Sequence, residues 1–174
     1  PIYKYKLPPG HRFPMIKYEL IPEQLLYEGT ITDDHFFHPQ LLSEEIILMT
    51  HTEDYWRQLK HQQFSRKEER AIGFPMSENL VRRGRHIANG TLECAYYAQQ
   101  YGVAMNVAGG THHSFGGHGE GSCVFNDIAI ASNYLLRHGI VEKILVVDLD
   151  VHQGNGTAQI FQHESRVFTF SMHG

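Results

Sequence analysis

Cysteine is scarce in this sequence: Cys94 and Cys123 are the only two among 174 residues. Two thiols leave no legible disulfide framework, and a reducing compartment suits them. Long apolar runs are also missing, so nothing reaches the roughly 20 residues needed to span a bilayer. The first residues lack the charged-then-apolar pattern of a secretory leader. There is no basic excess. Lys and Arg number 15 against 19 Asp and Glu, for a net charge of −4 with histidines neutral. That excludes the electrostatic footprint of a nucleic-acid binder and is too mild for an acidic tail. Repeats and low-complexity tracts are absent as well. These absences predict a cytoplasmic protein with no membrane and no direct nucleic-acid partner. The 41% hydrophobic and 20% charged content is that of a globular chain. Residues 1–174 are long enough to form one domain with a real core.

Histidine is abundant, at 13 residues. His35, His38, His51, His61 and His163 read as surface composition. His112, His113 and His118 crowd one glycine-rich stretch, and His152 lies in a second informative segment, Val146-Val147-Asp148-Leu149-Asp150-Val151-His152-Gln153-Gly154-Asn155. There the apolar run Ile144–Val147 turns abruptly acidic. Four aliphatic residues in a row predict a strand buried on both faces. If the strand persists, Asp148, Asp150 and His152 share one side, because strand side chains alternate. Two carboxylates and an imidazole together are costly unless a cation sits among them.

The order of elements places this segment. Loop compositions occupy Pro8–Pro14 and Asp33–Pro39, with a helix-like stretch around Tyr18–Tyr27 between them. Ser43-Glu44-Glu45 opens a short helix, and Asp54–Gln63 forms another with Tyr55, Trp56 and Leu59 facing a core. Ser65–Arg70 reads as a charged, solvated segment, followed by a loop over residues 71–77. Ser77 caps a long helix reaching Tyr101-Gly102, weakened by Gly90. Val103–Ala108 reads as a strand, 111–124 as a polar loop, and Asn126 or Asp127 starts a helix closed by His138-Gly139. Lys143–Leu149 is a strand, Gly156–Gln162 a helix and Arg166–Ser171 a third strand. This strand-helix-strand-helix-strand order predicts a parallel sheet covered on both faces. Ligands in such sheets bind beyond the carboxyl ends of strands, where both histidine clusters fall.

Asp150 and His152 offer a carboxylate oxygen and an imidazole nitrogen, good donors for zinc or another first-row divalent ion. His112-His113, flanked by Gly109-Gly110 and Gly116-Gly117, forms a candidate proton-transfer unit beside that ion. Asp148 and Asn155 are candidate partners for the two rings. A carboxylate partner raises imidazole basicity more than a neutral amide does, so the two histidines would divide charge stabilisation from proton transfer.

Three stretches together resemble the zinc-dependent histone deacetylase superfamily, nearest its bacterial class IV-like branch. They are Gly109-Gly110-Thr111-His112-His113, Gly121-Ser122-Cys123-Val124-Phe125-Asn126-Asp127 and Val147–Thr157. His11-Arg12-Phe13-Pro14 with Lys17-Tyr18, and His51-Thr52-Glu53-Asp54-Tyr55, extend the likeness over nearly the whole chain. The resemblance implies an α/β fold of the arginase/deacetylase type, a three-layer sandwich around a mainly parallel sheet, of which residues 1–174 form the N-terminal portion. It implies Zn2+ (or Fe2+ or another divalent ion) on Asp150 and His152, with His113 as general base backed by Asn155. His112 would pair with Asp148. A structural K+ would sit on the backbone of Asp148, Asp150 and His152 with Ser171 and Met172, and Gly121 and Ser122 would line the substrate channel. The implied reaction removes acetyl groups from acetylated lysine or small acylated amines.

The chain departs from the family pattern in places. The family's third zinc ligand, an aspartate, and its transition-state tyrosine lie downstream of residue 174. Ser122 replaces an aromatic wall residue, which implies a wider or more polar acyl channel. The chain starts at Pro1 without methionine and without the family's first strand. A fragment of a longer deacetylase is therefore expected, and the alternative is a catalytically incomplete or non-enzymatic metal-binding domain. A ureohydrolase of the same architecture fits less well, because its Asp-x-His-x-Asp run would need a ligand where Gly154 stands.

Overall fold

In a computed structural model of the chain, residues 2–174 are described. Seven α-helices and two parallel strands follow one another as α1 (Lys17–Tyr27), α2 (Glu44–Ile47), α3 (Glu53–His61), α4 (Arg66–Ile72), α5 (Glu78–Tyr101), α6 (Asp127–Arg137), β1 (Ile144–Asp148), α7 (Asn155–Phe161) and β2 (Val167–Ser171). Short polar side chains start most of the helices. Ser43, Thr52, Ser65, Ser77 and Asn126 each accept a backbone N–H of the first turn, satisfying donors that a helix start leaves orphaned. None of these helices is long and apolar enough to cross a membrane.

The main core lies between α3, α5 and α6. Tyr55, Trp56 and Leu59 of α3 meet Leu80, Val81, Ala88 and Leu92 of α5 and Ile130 of α6, with Phe125 among them. Tyr55 also donates from its hydroxyl to the Val124 carbonyl at 2.8 Å, so the core anchors the loop leading into α6. Gly90 does not interrupt α5. A Cβ there would come 3.0 Å from Asn106 Nδ2 and 3.2 Å from the Tyr3 hydroxyl, so the glycine permits a close approach instead.

Four sequence expectations need correction. Residues 103–108 are not a strand. They have no ladder partner among the described residues, Val103 and Met105 are exposed, and Asn106 folds its side chain back onto the Ile87 carbonyl, Thr91 and the Ala108 N–H. The glycine-rich loop therefore follows an irregular connection and not a sheet edge. Residues 66–72 are helical, because Ser65 and Glu68 form a reciprocal capping box that outweighs the charge of the segment.

The strand β1 is also not buried on both faces. It pairs with β2 from Ile144–Val167 through Asp148–Ser171. One face packs Val146 and Val167 on Ala129, Leu136 and Phe161 of α6 and α7. On the other, Leu145, Val147, Phe168 and Phe170 are exposed, because no layer covers them among the described residues. The α/β sandwich is thus incomplete on this side.

The fourth correction concerns His51, which is buried at 2% exposure and not a surface residue. Its Nε2 accepts the Asn126 N–H at 3.1 Å, and its ring lies against Tyr55 and Phe125. Burial pushes its pKa from 6.5 down to about 4. Between those values the unfolded chain binds a proton that the folded chain refuses, so stability falls as pH drops from 6.5 towards 4. This group contributes a slope of at most about 1.4 kcal/mol per pH unit. Urea unfolding at a series of pH values should show that slope, and His51→Gln should flatten it; an unchanged slope in the variant would remove His51 as the cause.

Candidate active site

Two buried residues at the start of α6 shape the loop that carries His112 and His113. The Asp127 carboxylate, 1% exposed, accepts the Gly110 N–H at 3.0 Å, the Thr111 N–H at 2.7 Å and the Thr111 hydroxyl at 2.6 Å. A carboxylate in a helix's first turn is also favoured by the helix dipole. Asn126 caps α6 through its oxygen, while its amide donates to the Ser114 carbonyl at 2.9 Å and to Thr157 Oγ1 at 3.0 Å. Thr157 N–H in turn donates to the His112 carbonyl at 3.2 Å. The histidine pair is thus fixed between the N-terminal ends of α6 and α7.

The acidic segment leaves β1 at Asp148 without continuing as a strand. Asp148 Oδ1 accepts the Asp150 N–H at 3.0 Å, and Asp150 Oδ1 accepts the His152 N–H at 2.7 Å. These successive side-chain-to-backbone bonds, each spanning two residues, curl the chain. Strand alternation therefore does not bring the three side chains together; the two short turns do.

The rings meet this segment at close range. His112 Nδ1 lies 2.6 Å from Asp148 Oδ2, both side chains being largely buried. His113 Nδ1 lies 2.7 Å from Asn155 Oδ1 at the start of α7. The two ring centroids are 4.1 Å apart, and the His113 and His152 centroids 5.8 Å apart. Asp150 and His152 are more open, with Asp150 Oδ1 3.1 Å from His152 Nδ1. The His152 backbone N–H holds the Asp150 carboxyl below the usual carboxylate range, helped by the nearby His112. A formal charge therefore stands behind one ring and a neutral amide behind the other.

Carboxylate oxygen and imidazole nitrogen are a donor set that suits a first-row divalent ion. Asp150 and His152 supply two donors where a tetrahedral catalytic site uses three protein ligands. No group of three or more His, Cys, Asp and Glu side chains among the described residues is arranged to hold a metal. The remaining segments called from the sequence also have definite places. Asp148 pairs with Ser171 in the ladder, and its carbonyl accepts the Met172 N–H at 3.0 Å, so these strand ends adjoin. Gly121 and Ser122 form a turn, with φ of +58° and +68°, against the His113 ring. The Pro8–Pro14 and Gly73–Ser77 loops touch each other, with His11 Nε2 2.8 Å from the Gly73 carbonyl and its ring stacked on Phe74. His118 is exposed and stacks on Phe115. Burial pushes the Cys123 thiol up to about 12, which rules out a resting thiolate nucleophile. Sequence reasoning did not find the bonds by which Asp127 and the Asn126 amide hold this loop, nor the Glu120 carboxylate 3.2 Å from Asn155 Nδ2. An acid directly before Gly121 in a loop rich in glycine and histidine was the available signal for Glu120.

An α/β chain with a paired-histidine centre at the end of a parallel strand is the class that this geometry defines. The histone deacetylase domain family matches residues 11–174. An uncharacterized protein of Picosynechococcus is 43% identical over 99% of the chain and 58% of its own length. The acetoin utilization protein AcuC of Staphylococcus aureus is 28% identical over 99% of the chain and 46% of its own length. Among solved structures, an HDAC homolog complexed with SAHA superposes with a TM-score of 0.81 at 26% identity, covering 97% of this chain and 48% of that one. The chain belongs to the histone deacetylase domain family and has its arginase/deacetylase-type α/β fold. It spans about half the length of the curated relatives it matches.

Proposed function

We propose that the full-length protein is a zinc-dependent deacetylase that hydrolyses acetyl-lysine or small acylated amines. The observation that carries this reading is the split pair: His112 against the Asp148 carboxylate at 2.6 Å and His113 against the Asn155 amide at 2.7 Å. With its Nδ1–H donated to Asn155, His113 presents Nε2 as the free lone pair and takes a proton from water. The same ring then returns that proton to the leaving amine. His112, braced by Asp148, contributes electrostatically beside it. Asp150 and His152 would hold the divalent ion, which when bound polarises the acyl carbonyl and activates water. The relatives extend well beyond the length spanned here, and the remaining ligand and carbonyl-polarising group are expected in that portion. A K+ beneath the site, on the backbone of Asp148, Asp150 and His152 with Ser171 and Met172, belongs to the same proposal.

Support comes from family membership and from the solved HDAC homolog's complex with SAHA. The test is acetate release from an acetyl-lysine peptide and from an acetylated polyamine by the full-length protein. Release from either class supports the reading and assigns the substrate type. A protein with zinc bound that releases acetate from neither would refute it. With two donors alone, residues 1–174 should bind zinc weakly and turn over neither substrate.

A further inference from the structure

We propose that Glu120 is a positioning residue for His113, acting through the Asn155 amide. This rests on the reading of His113 as the proton-transferring group. Asn155 Oδ1 faces His113 Nδ1 at 2.7 Å and also accepts the Gly156 N–H at 2.9 Å. Its Nδ2 donates to Glu120 Oε1 at 3.2 Å. A carboxylate oxygen only accepts and a backbone N–H only donates. Rotating the amide by half a turn would set its NH2 against the Gly156 N–H and its oxygen against Glu120, both repulsive. With the oxygen fixed towards His113, the ring must carry its proton on Nδ1, leaving Nε2 open. Without Glu120, only the Gly156 N–H opposes the flipped amide, and that flip favours the tautomer protonated on Nε2.

The turn that carries Glu120 is built for this placement. The Cys123 N–H donates to the Glu120 carbonyl at 2.9 Å, closing a two-residue turn over Gly121 and Ser122. The N–H groups of both central residues are tied to the α4 end, Gly121 to the Ala71 carbonyl at 2.9 Å and Ser122 to the Ile72 carbonyl at 2.8 Å. Ser122 at φ +68° is unusual for a residue with a side chain, and such backbone strain is enriched at functional sites. A Cβ on Gly121 would come 2.5 Å from His113 Cδ2, so the same turn seats both the ring and the carboxylate.

The test compares Glu120→Gln, which keeps an acceptor oxygen, with Glu120→Met, which keeps the size and removes it. Both are made in the full-length zinc-loaded protein beside His113→Ala. Glu120→Met should lower kcat by about 10-fold or more. KM should stay within about twofold, and Glu120→Gln within about threefold of the parent kcat. Long-range 1H–15N spectra should show His113 protonated on Nδ1 in the parent and in Glu120→Gln, but shifted towards the Nε2–H tautomer in Glu120→Met. Equal kcat in the Gln and Met variants, or an unchanged tautomer in the Met variant, would overturn the proposal. If His113→Ala keeps its turnover, the deacetylase assignment of His113 fails instead, and the tautomer comparison still decides whether Glu120 orients Asn155.

Discussion

Replacing His113 by alanine in the full-length protein should lower kcat by about 10²–10⁴-fold, the usual contribution of a positioned acid or base. Zinc content should not change. The ring reaches the site through Asn155 and the Gly121 turn, and its centroid stands 5.8 Å from that of His152. Removing it leaves Asp150, His152 and their backbone bonds intact. Stability should change little as well, because the loop is anchored by Asp127 and Asn126 and not by His113. Metal analysis after gel filtration and initial rates on an acetyl-lysine peptide check both halves. Loss of zinc along with turnover would make His113 a ligand and not a base.

A change at Asp150 should act in the opposite order, removing metal first and rate as a consequence. Asp150→Asn keeps an oxygen that can accept the His152 N–H, now bonded at 2.7 Å, so the curl after β1 should survive. An amide oxygen lacks the charge that makes the carboxylate a ligand. Changes to groups that merely support a ligand already cost about 10–100-fold in metal affinity, so loss of a ligand should exceed that. Asp150→Asn should therefore melt like the apo parent protein, hold no zinc at micromolar concentration and show no turnover above background. A variant that retains stoichiometric zinc would remove Asp150 from the metal site.

The legible part of the fold was the part specified locally. Ser43, Ser77 and Asn126 announced helix starts because a short polar side chain before an apolar-periodic run has one good use. The β1–α7–β2 unit was readable from an apolar run, a glycine-marked turn and a second apolar run. What failed depended on partners distant in sequence. Residues 103–108 have strand composition, yet a strand needs a neighbour, and Asn106 bonds back to α5 instead. His51 looks like any polar residue before a helix cap; its burial comes from Phe125 and Asn126, more than 70 residues later.

The site divides the same way. Partners for the two histidines were expected from their motifs, and Asp148 and Asn155 do lie at 2.6 and 2.7 Å. The expected route was wrong in one respect. Asp150 and His152 are gathered by two side-chain turns, not by strand alternation. The pairings that hold the loop are not written in any local pattern. Asp127 binds backbone 16 and 17 residues away, and Glu120 meets Asn155 35 residues on, with no pattern in the sequence to link them.

If this paired-histidine centre acts on an acetyl group with a metal held by Asp150 and His152, acetate release should follow the metal. The most direct measurement is acetate release by the full-length protein after its metal is stripped with a chelator and zinc is then titrated back. No release is expected from the stripped protein, and recovery should saturate at stoichiometric zinc, with Asp150→Asn failing to recover. Release that survives stripping, or a fully zinc-loaded protein that releases no acetate, would contradict it.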